Sequence, residues 1–296
     1  MKATEGTIEF RGYRTWYKIL GELPPASEKL PLLVLHGGPG FPHDYLEDLS
    51  GLADDGRAVV LYDQLGCGNS DHPDDPALWV MDTFVNEVAA VRDGIGLDQV
   101  HLLGHSWGGW LALEYALRRP PGLASLVLAS TCASIPAFAA ETKRLKESLP
   151  AEVQETIDRH ESAGTTDNDA YVEATMAYYT QWVCRLEPFP EHIMRSFTNL
   201  REEVYGTMQG PEWNVTGNLK DWDVTDRLRE LALPVLITSG RYDEMTPALI
   251  KPLADGISGA ESVVFEESSH LAMAEEPERY RRVVESFLSQ VETGRA

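Results

Sequence analysis

Val100-His101-Leu102-Leu103-Gly104-His105-Ser106-Trp107-Gly108-Gly109 decides the fold. The apolar run 100–103 reads as a buried strand and 107–117 as a helix, so the G-x-S-x-G at 104–108 falls at a strand-to-helix turn. Two glycines around a serine mean little alone. In this setting they mark a sharp turn in which small residues let neighbouring backbone approach, Oγ rises above the carboxyl edge of a sheet, and the positive end of the following helix faces it. Ser106 is therefore a candidate nucleophile.

Outward from this unit, short apolar runs bounded by turn residues recur at 32–35, 58–62, 123–129, 235–238 and 263–265, each reading as a strand. A helical pattern at 84–95, together with 107–117, alternates with them, which predicts an α/β class with a mostly parallel sheet covered on both faces. After Pro277, the residues Tyr280, Val283, Val284, Phe287, Leu288 and Val291 form one apolar helical stripe. Residues 7–10 and 15–20 read as an antiparallel pair at the sheet edge. From 134 to 231 strand-like runs disappear. Helical segments there carry scattered aromatics, among them Tyr178, Tyr179, Phe197, Tyr205 and Trp213, and the segment is taken as an inserted helical cap. The expected division is a core of 1–133 and 232–296 with a cap of 134–231.

A serine hydroxyl needs a base to take its proton and an acid to orient that base. At an elbow of this kind the chain order is serine, acid, histidine, with acid and base in loops after later strands. Asp243 follows the strand 235–238, and His270 follows 263–265; of the eight histidines only His270 lies beyond Asp243. Asp63 also ends a strand but precedes Ser106, contrary to that order. For a developing oxyanion, His36-Gly37-Gly38-Pro39-Gly40 follows the strand 32–35 and supplies one N–H, assigned to Gly38, and Trp107 supplies the other. The loop 62–70, with Gly66 and Gly68, lacks both the full dinucleotide fingerprint and a phosphate-loop lysine, and reads as structural. Asp221, Asp223 and Asp226 lack the oxygen-ligand spacing of a calcium loop. No cofactor and no metal are expected.

Composition narrows the partners. Lys+Arg is 25 against Asp+Glu 47 in 296 residues, a formal charge of −22. Such a surface repels phosphate backbones and anionic lipid, so neither nucleic acid nor membrane is an expected partner, and amine-bearing ligands are favoured. Cys67, Cys132 and Cys184 are odd in number and show neither disulfide nor zinc spacing, which suits a reducing compartment. With no apolar leader and no long apolar run, the expected location is cytoplasmic. A monomer or small homo-oligomer is expected.

Four stretches together, His36-Gly37-Gly38-Pro39-Gly40, Tyr62-Asp63-Gln64-Leu65-Gly66-Cys67-Gly68-Asn69-Ser70, Gly104 to Gly109 and Gly240-Arg241-Tyr242-Asp243-Glu244, resemble the proline iminopeptidase family of α/β-hydrolases. The resemblance covers nearly the whole chain. It implies an α/β-hydrolase fold with an eight-stranded, mostly parallel sheet and a helical cap. The implied activity is that of a serine hydrolase releasing a free amino-terminal residue, with proline favoured, from small peptides or amino-acid amides. It further implies that two carboxylates recognise the substrate's α-amino group. The matching positions are Glu244 and Glu212, the latter in Gly210-Pro211-Glu212-Trp213, a segment one residue shorter than is usual and with Trp in place of Phe. The rival readings are an esterase or lactonase acting on neutral acyl substrates, and a non-catalytic small-molecule receptor on the same scaffold.

Overall fold

The computed structural model describes residues 2–24 and 28–294. The hairpin β1 (Ala3–Phe10) and β2 (Tyr13–Leu20) turns on Arg11 and Gly12, both at positive φ, the two-residue geometry that matches strand twist. Then come β3 (Leu32–Leu35), β4 (Val59–Tyr62), α1 (Met81–Ile95), β5 (Val100–His105), α2 (Trp107–Leu117) and β6 (Leu123–Ala129). Five helices follow without a strand: α3 (Ile135–Glu147), α4 (Ala151–Ala163), α5 (Asp169–Trp182), α6 (Glu191–Thr198) and α7 (Glu202–Met208). The chain returns through β7 (Val235–Gly240), α8 (Pro247–Gly256), β8 (Glu261–Phe265), α9 (Ala272–Glu275) and α10 (Pro277–Glu292).

The sheet runs β1-β2-β4-β3-β5-β6-β7-β8. β1 and β2 are antiparallel, and the strands from β4 to β8 are parallel to one another. Every residue of β3, β4, β5 and β7 is buried, as a sheet covered on both faces requires. One core layer sets Leu33, Val60 and Leu102 among side chains of α1, α2 and α8; the other sets Leu32, Leu61 and Leu103 among Tyr280, Val284 and Phe287 of α10. The apolar stripe expected after Pro277 is thus the inner face of α10. β1 begins at Ala3 rather than at position 7. Its first residues are exposed, and the partners Leu20 to Tyr17 across the hairpin hold them in the strand, so no apolar alternation betrays it. Similarly α1 starts at Met81, one turn earlier than its apolar pattern suggests. Among the described residues, no helix is long and apolar enough to cross a membrane.

The loop 63–70 is a scaffold, as its sequence suggests. Asp63 Oδ1 accepts from the His43 N–H at 2.9 Å and Nδ1 at 2.7 Å, and Oδ2 accepts from the Asn69 N–H at 2.8 Å. Burial alone would raise this carboxyl, but the hydrogen bond and charge of His43 outweigh it and hold Asp63 at about 2.

Beneath the same loop lies Glu87 of α1, fully buried, with Oε1 accepting from Thr15 Oγ1 at 2.5 Å and the Leu65 N–H at 2.9 Å. Burial lifts its carboxyl from 4.5 to about 8. The unfolded chain therefore sheds this proton near pH 4.5 while the folded chain keeps it, and stability falls as pH rises from about 4.5 to about 8. Glu87→Gln, neutral throughout, is expected to remove that decline and to be the more stable form at pH 8 by a few kcal/mol. Calorimetric melting curves from pH 4 to 9 check this; a variant whose curve runs parallel to that of the parent contradicts it.

Candidate active site

Ser106 sits between β5 and α2 at φ 55 and ψ −122, a backbone region that L-residues avoid. The flanking glycines explain how such a turn fits. A Cβ on Gly104 would overlap the Gly108 carbonyl, and one on Gly108 would overlap the Leu35 carbonyl of β3. Below the turn, Thr131 Oγ1 donates to the Ser106 carbonyl at 2.9 Å. The spacing visible in the sequence is thus a packing requirement of three backbones crossing at one point.

Asp243 and His270 arrive on the loops after β7 and β8. These loops are stitched together by Arg241 N–H to the Phe265 carbonyl at 2.8 Å and Tyr242 N–H to the Ser268 carbonyl at 3.0 Å. As a result His270 Nδ1 lies 2.8 Å from Asp243 Oδ1, which also accepts from the Met245 N–H at 2.8 Å. The Trp182 carbonyl at the end of α5 accepts from the N–H groups of both Glu244 and His270 at 3.2 Å, which docks the helical segment onto this corner. Ser106 and His270 line one cavity. The structure therefore brings together the serine, acid and histidine picked from chain order, and it leaves Asp63 outside as a loop organiser.

The oxyanion side is held by a directional chain of hydrogen bonds. Gly37 N–H donates to Tyr45 Oη at 2.5 Å, Tyr45 O–H donates to His105 Nδ1 at 2.9 Å, and His105 Nε2–H donates to the His270 carbonyl at 2.9 Å. Burial keeps His105 far below its ordinary pKa, hence neutral and able to accept at one nitrogen while donating at the other. The Gly37 N–H is thus engaged, whereas Gly38, the expected oxyanion donor, takes φ 119 and lines the cavity. Trp107 opens α2, where the first N–H groups have no intrahelical partner. Its indole donates to Gln64 Oε1 at 2.8 Å, and Gln64 Nε2 donates to the His36 carbonyl at 3.0 Å. One glutamine thereby ties together the two segments that carry the expected oxyanion donors.

The cavity encloses about 140 Å³, the scale that admits a single six-membered ring. Its apolar wall includes Phe41, Trp110, Phe138, Tyr179 and Phe197, and its acidic end is formed by Glu212 and Glu244. Glu244 is 4% exposed, with Oε2 accepting from Tyr178 Oη at 3.1 Å and Oε1 lying 3.8 Å from His270 Nε2. Half-buried Glu212, between α7 and β7, accepts from Tyr205 Oη at 2.6 Å and Gln209 Nε2 at 3.2 Å. Burial pushes both carboxyls up, Glu244 well above the carboxylate range, and the charge of Glu212 adds to the rise at Glu244. Burial disfavours the His270 cation, yet Asp243, Glu244 and Glu212 outweigh it and lift His270 to about 9. Two acids and an apolar slot suit a small group with a cationic end.

Sequence reasoning missed Tyr45, Trp110, Phe138 and Gln209. Tyr45 lies in the 3₁₀ helix His43–Ala53, and nothing in its spacing sets it apart from an ordinary core tyrosine. Of the aromatics noted between 134 and 231, Tyr179, Phe197 and Tyr205 line the cavity, whereas Trp213 packs against Tyr178 at 5.2 Å between ring centres. Among the described residues no cluster of metal-ligating side chains occurs. The acidic 221–226 stretch is a helix start, in which Asp223 Oδ1 accepts from the Thr225 N–H at 2.8 Å.

Residues 31–277 match the alpha/beta hydrolase fold family. The chain is 42% identical over 290 residues to the proline iminopeptidase of Heyndrickxia coagulans, covering 97% of this chain and 99% of that one. Among solved structures, VinJ superimposes with a TM-score of 0.94 at 41% identity, covering 97% of this chain and 99% of VinJ. The proline iminopeptidase of Mycobacterium smegmatis does so with a TM-score of 0.90 at 39% identity, covering 99% of this chain and all of that one.

Proposed function

Because the chain belongs to the proline iminopeptidase family of α/β-hydrolases, we propose that it is a serine aminopeptidase releasing one free amino-terminal residue, proline favoured, from small peptides or amino-acid amides. One observation carries this reading: two carboxylates, half-buried Glu212 and buried Glu244, form the acidic end of the cavity that Ser106 and His270 line. A protonated amine leaving water needs such a partner, and its fixed distance from the serine selects the first peptide bond. Residues 134–231 act as the cap that closes over it.

In the proposed mechanism His270 takes the Ser106 proton as Oγ attacks the acyl carbon. The Gly38 and Trp107 N–H groups hold the oxyanion, and Asp243 keeps the imidazole oriented and supports its cationic form. His270 then protonates the leaving amine, and water repeats the sequence on the acyl-enzyme. A neutral acyl substrate would leave the carboxylates without a partner, which disfavours the esterase reading. The complete set of serine, histidine and aspartate disfavours a receptor with no chemistry, since binding alone gives no reason to keep all three. The three cysteines are unpaired and buried, which supports a reducing, cytoplasmic setting.

A panel of prolyl, aliphatic and aromatic amino-acid amides, each with its amino-blocked counterpart, tests the reading. Blocking the amine is expected to lower kcat/KM by at least about 100-fold, the loss of one charge-assisted contact in a dry site. Equal turnover of blocked and free forms would reject the aminopeptidase assignment.

A further inference from the structure

The histidine that opens His36-Gly37-Gly38-Pro39-Gly40 takes no part in the steps above. It follows β3, is fully buried and stands behind the cavity wall formed by Gly37 and Gly38. Its hydrogen bonds nevertheless fix which ring nitrogen carries the proton. The Gln64 N–H, which can only donate, meets Nε2 at 2.9 Å, so Nε2 is bare. The Cys67 thiol lies 3.6 Å from the same nitrogen but donates to the Gln64 carbonyl at 3.1 Å. A ring with a bare Nε2 is neutral and keeps its one proton on Nδ1; burial, which pushes His36 down to about 4, agrees. Nδ1–H then donates to the Gly37 carbonyl at 2.9 Å. The Gln64 side-chain Nε2, 3.3 Å from Nδ1, donates to the His36 carbonyl at 3.0 Å instead.

The Gly37 carbonyl and the Gly38 N–H belong to one trans peptide plane and point in opposite directions. With the carbonyl held toward His36, the Gly38 N–H is turned to the cavity side. Sterics would not keep it there. Rotating this plane changes ψ of Gly37 and φ of Gly38, and glycine at both positions removes the usual barrier to a flip. The preceding plane is already held at both ends, its carbonyl by Gln64 Nε2 at 3.0 Å and its N–H by Tyr45 Oη at 2.5 Å.

We propose that His36 is a positioning residue for the oxyanion hole: the Gln64 N–H fixes its tautomer, and its Nδ1–H holds the Gly37–Gly38 peptide with the Gly38 N–H toward the reacting carbonyl. This rests on the oxyanion role given to Gly38 in the mechanism and does not depend on whether the substrate carries an amine. It also gives a reason for the glycine stretch at 36–40 and the loop at 62–70 to occur together, since a backbone donor of the second sets the proton of the first.

Two substitutions divide the ring's two bonds. Asparagine ends at the position of Nδ1, so His36→Asn keeps an N–H for the Gly37 carbonyl and leaves the Gln64 N–H unmet. Glutamine reaches the position of Nε2, so His36→Gln keeps an acceptor for the Gln64 N–H and releases the Gly37 carbonyl. Each loses one buried hydrogen bond, and both should melt below the parent by similar amounts. Their rates should part. In His36→Gln, kcat for p-nitrophenyl acetate and for an amino-acid p-nitroanilide is expected to fall about 100-fold, the loss of one oxyanion donor, with KM little changed. In His36→Asn the fall should be less than about fivefold. Rates that fall equally in the two variants, in step with melting temperature, or a larger fall in His36→Asn, would make His36 a loop support and overturn the proposal. Nitrogen-15 spectra of the histidine-labelled parent should show His36 protonated at Nδ1 and bare at Nε2; the opposite tautomer overturns it even if neither variant folds. The panel of free and amino-blocked amides tests the aminopeptidase reading separately. A parent that ignores the amine, with the ester rates still split between the two variants, would lose that reading and keep His36 in its role.

Discussion

Ser106→Ala is expected to lower kcat for an amino-acid amide by about 10⁴-fold or more, since Ser196, the other serine lining the cavity among the described residues, is held by the Tyr45 N–H and the Pro42 carbonyl, and the oxyanion donors alone retain only a residual rate. KM should change little, because the carboxylate pair and the aromatic wall are untouched. The backbone at 106 supplies a second readout. At φ 55 and ψ −122 alanine carries the same strain as serine, so Ser106→Ala should melt close to the parent. Glycine is at ease in that region, so Ser106→Gly should be equally inactive yet more stable by about 1–3 kcal/mol, less glycine's added freedom in the unfolded chain. Melting temperatures and single-turnover acylation measured together check both halves. An inactive protein that has also lost several degrees of stability in both variants would mean that the serine is structural; retained turnover in pure Ser106→Ala would remove it as nucleophile.

Asp243→Asn is the second large effect, a drop in kcat of about 10³- to 10⁴-fold. Oδ1 accepts from the Met245 N–H and faces His270 Nδ1, each at 2.8 Å, so asparagine keeps both contacts only with its oxygen there, and then without the charge that supports the imidazolium. Turned the other way, its NH₂ faces His270 Nδ1, the ring proton moves to Nε2, and the nitrogen that must accept from Ser106 becomes a donor; either placement lowers the rate. Stability carries an independent signature. The folded-state value of His270 is raised from 6.5 to about 9, so the imidazolium's contribution is fully present below pH 6.5 and is lost as pH rises through about 9. With the Asp243 charge gone, most of that contribution disappears. The melting temperatures of parent and variant should therefore differ most below pH 6.5 and converge above 9. A gap that is constant with pH would mean that Asp243 does not act through the charge on His270.

The readable parts of this protein were those written in local sequence. The strand-turn-helix around Ser106 follows from three apolar residues and a histidine, two glycines and a helical run, because the period of a strand and that of a helix are each confined to a few residues. Asp243 and His270 were legible for a topological reason: each follows a buried strand, and parallel strands deliver their carboxyl ends to one edge. Position 210–213 was legible only through its resemblance to a family segment.

The supporting contacts were not legible at all. Tyr45 meets His105 across 60 positions, Gln64 meets Trp107 across 43, and Tyr178 meets Glu244 across 66. Each is one polar group in a stretch whose local pattern says only core or loop, and nothing in the neighbouring residues indicates which distant partner will satisfy it. The charge state of the site is equally non-local. Sequence alone determined which residues could serve as nucleophile, acid and base. Only tertiary structure decided that two carboxylates face the histidine at close range, because the strength of a charge depends on how much water packing has removed from around it.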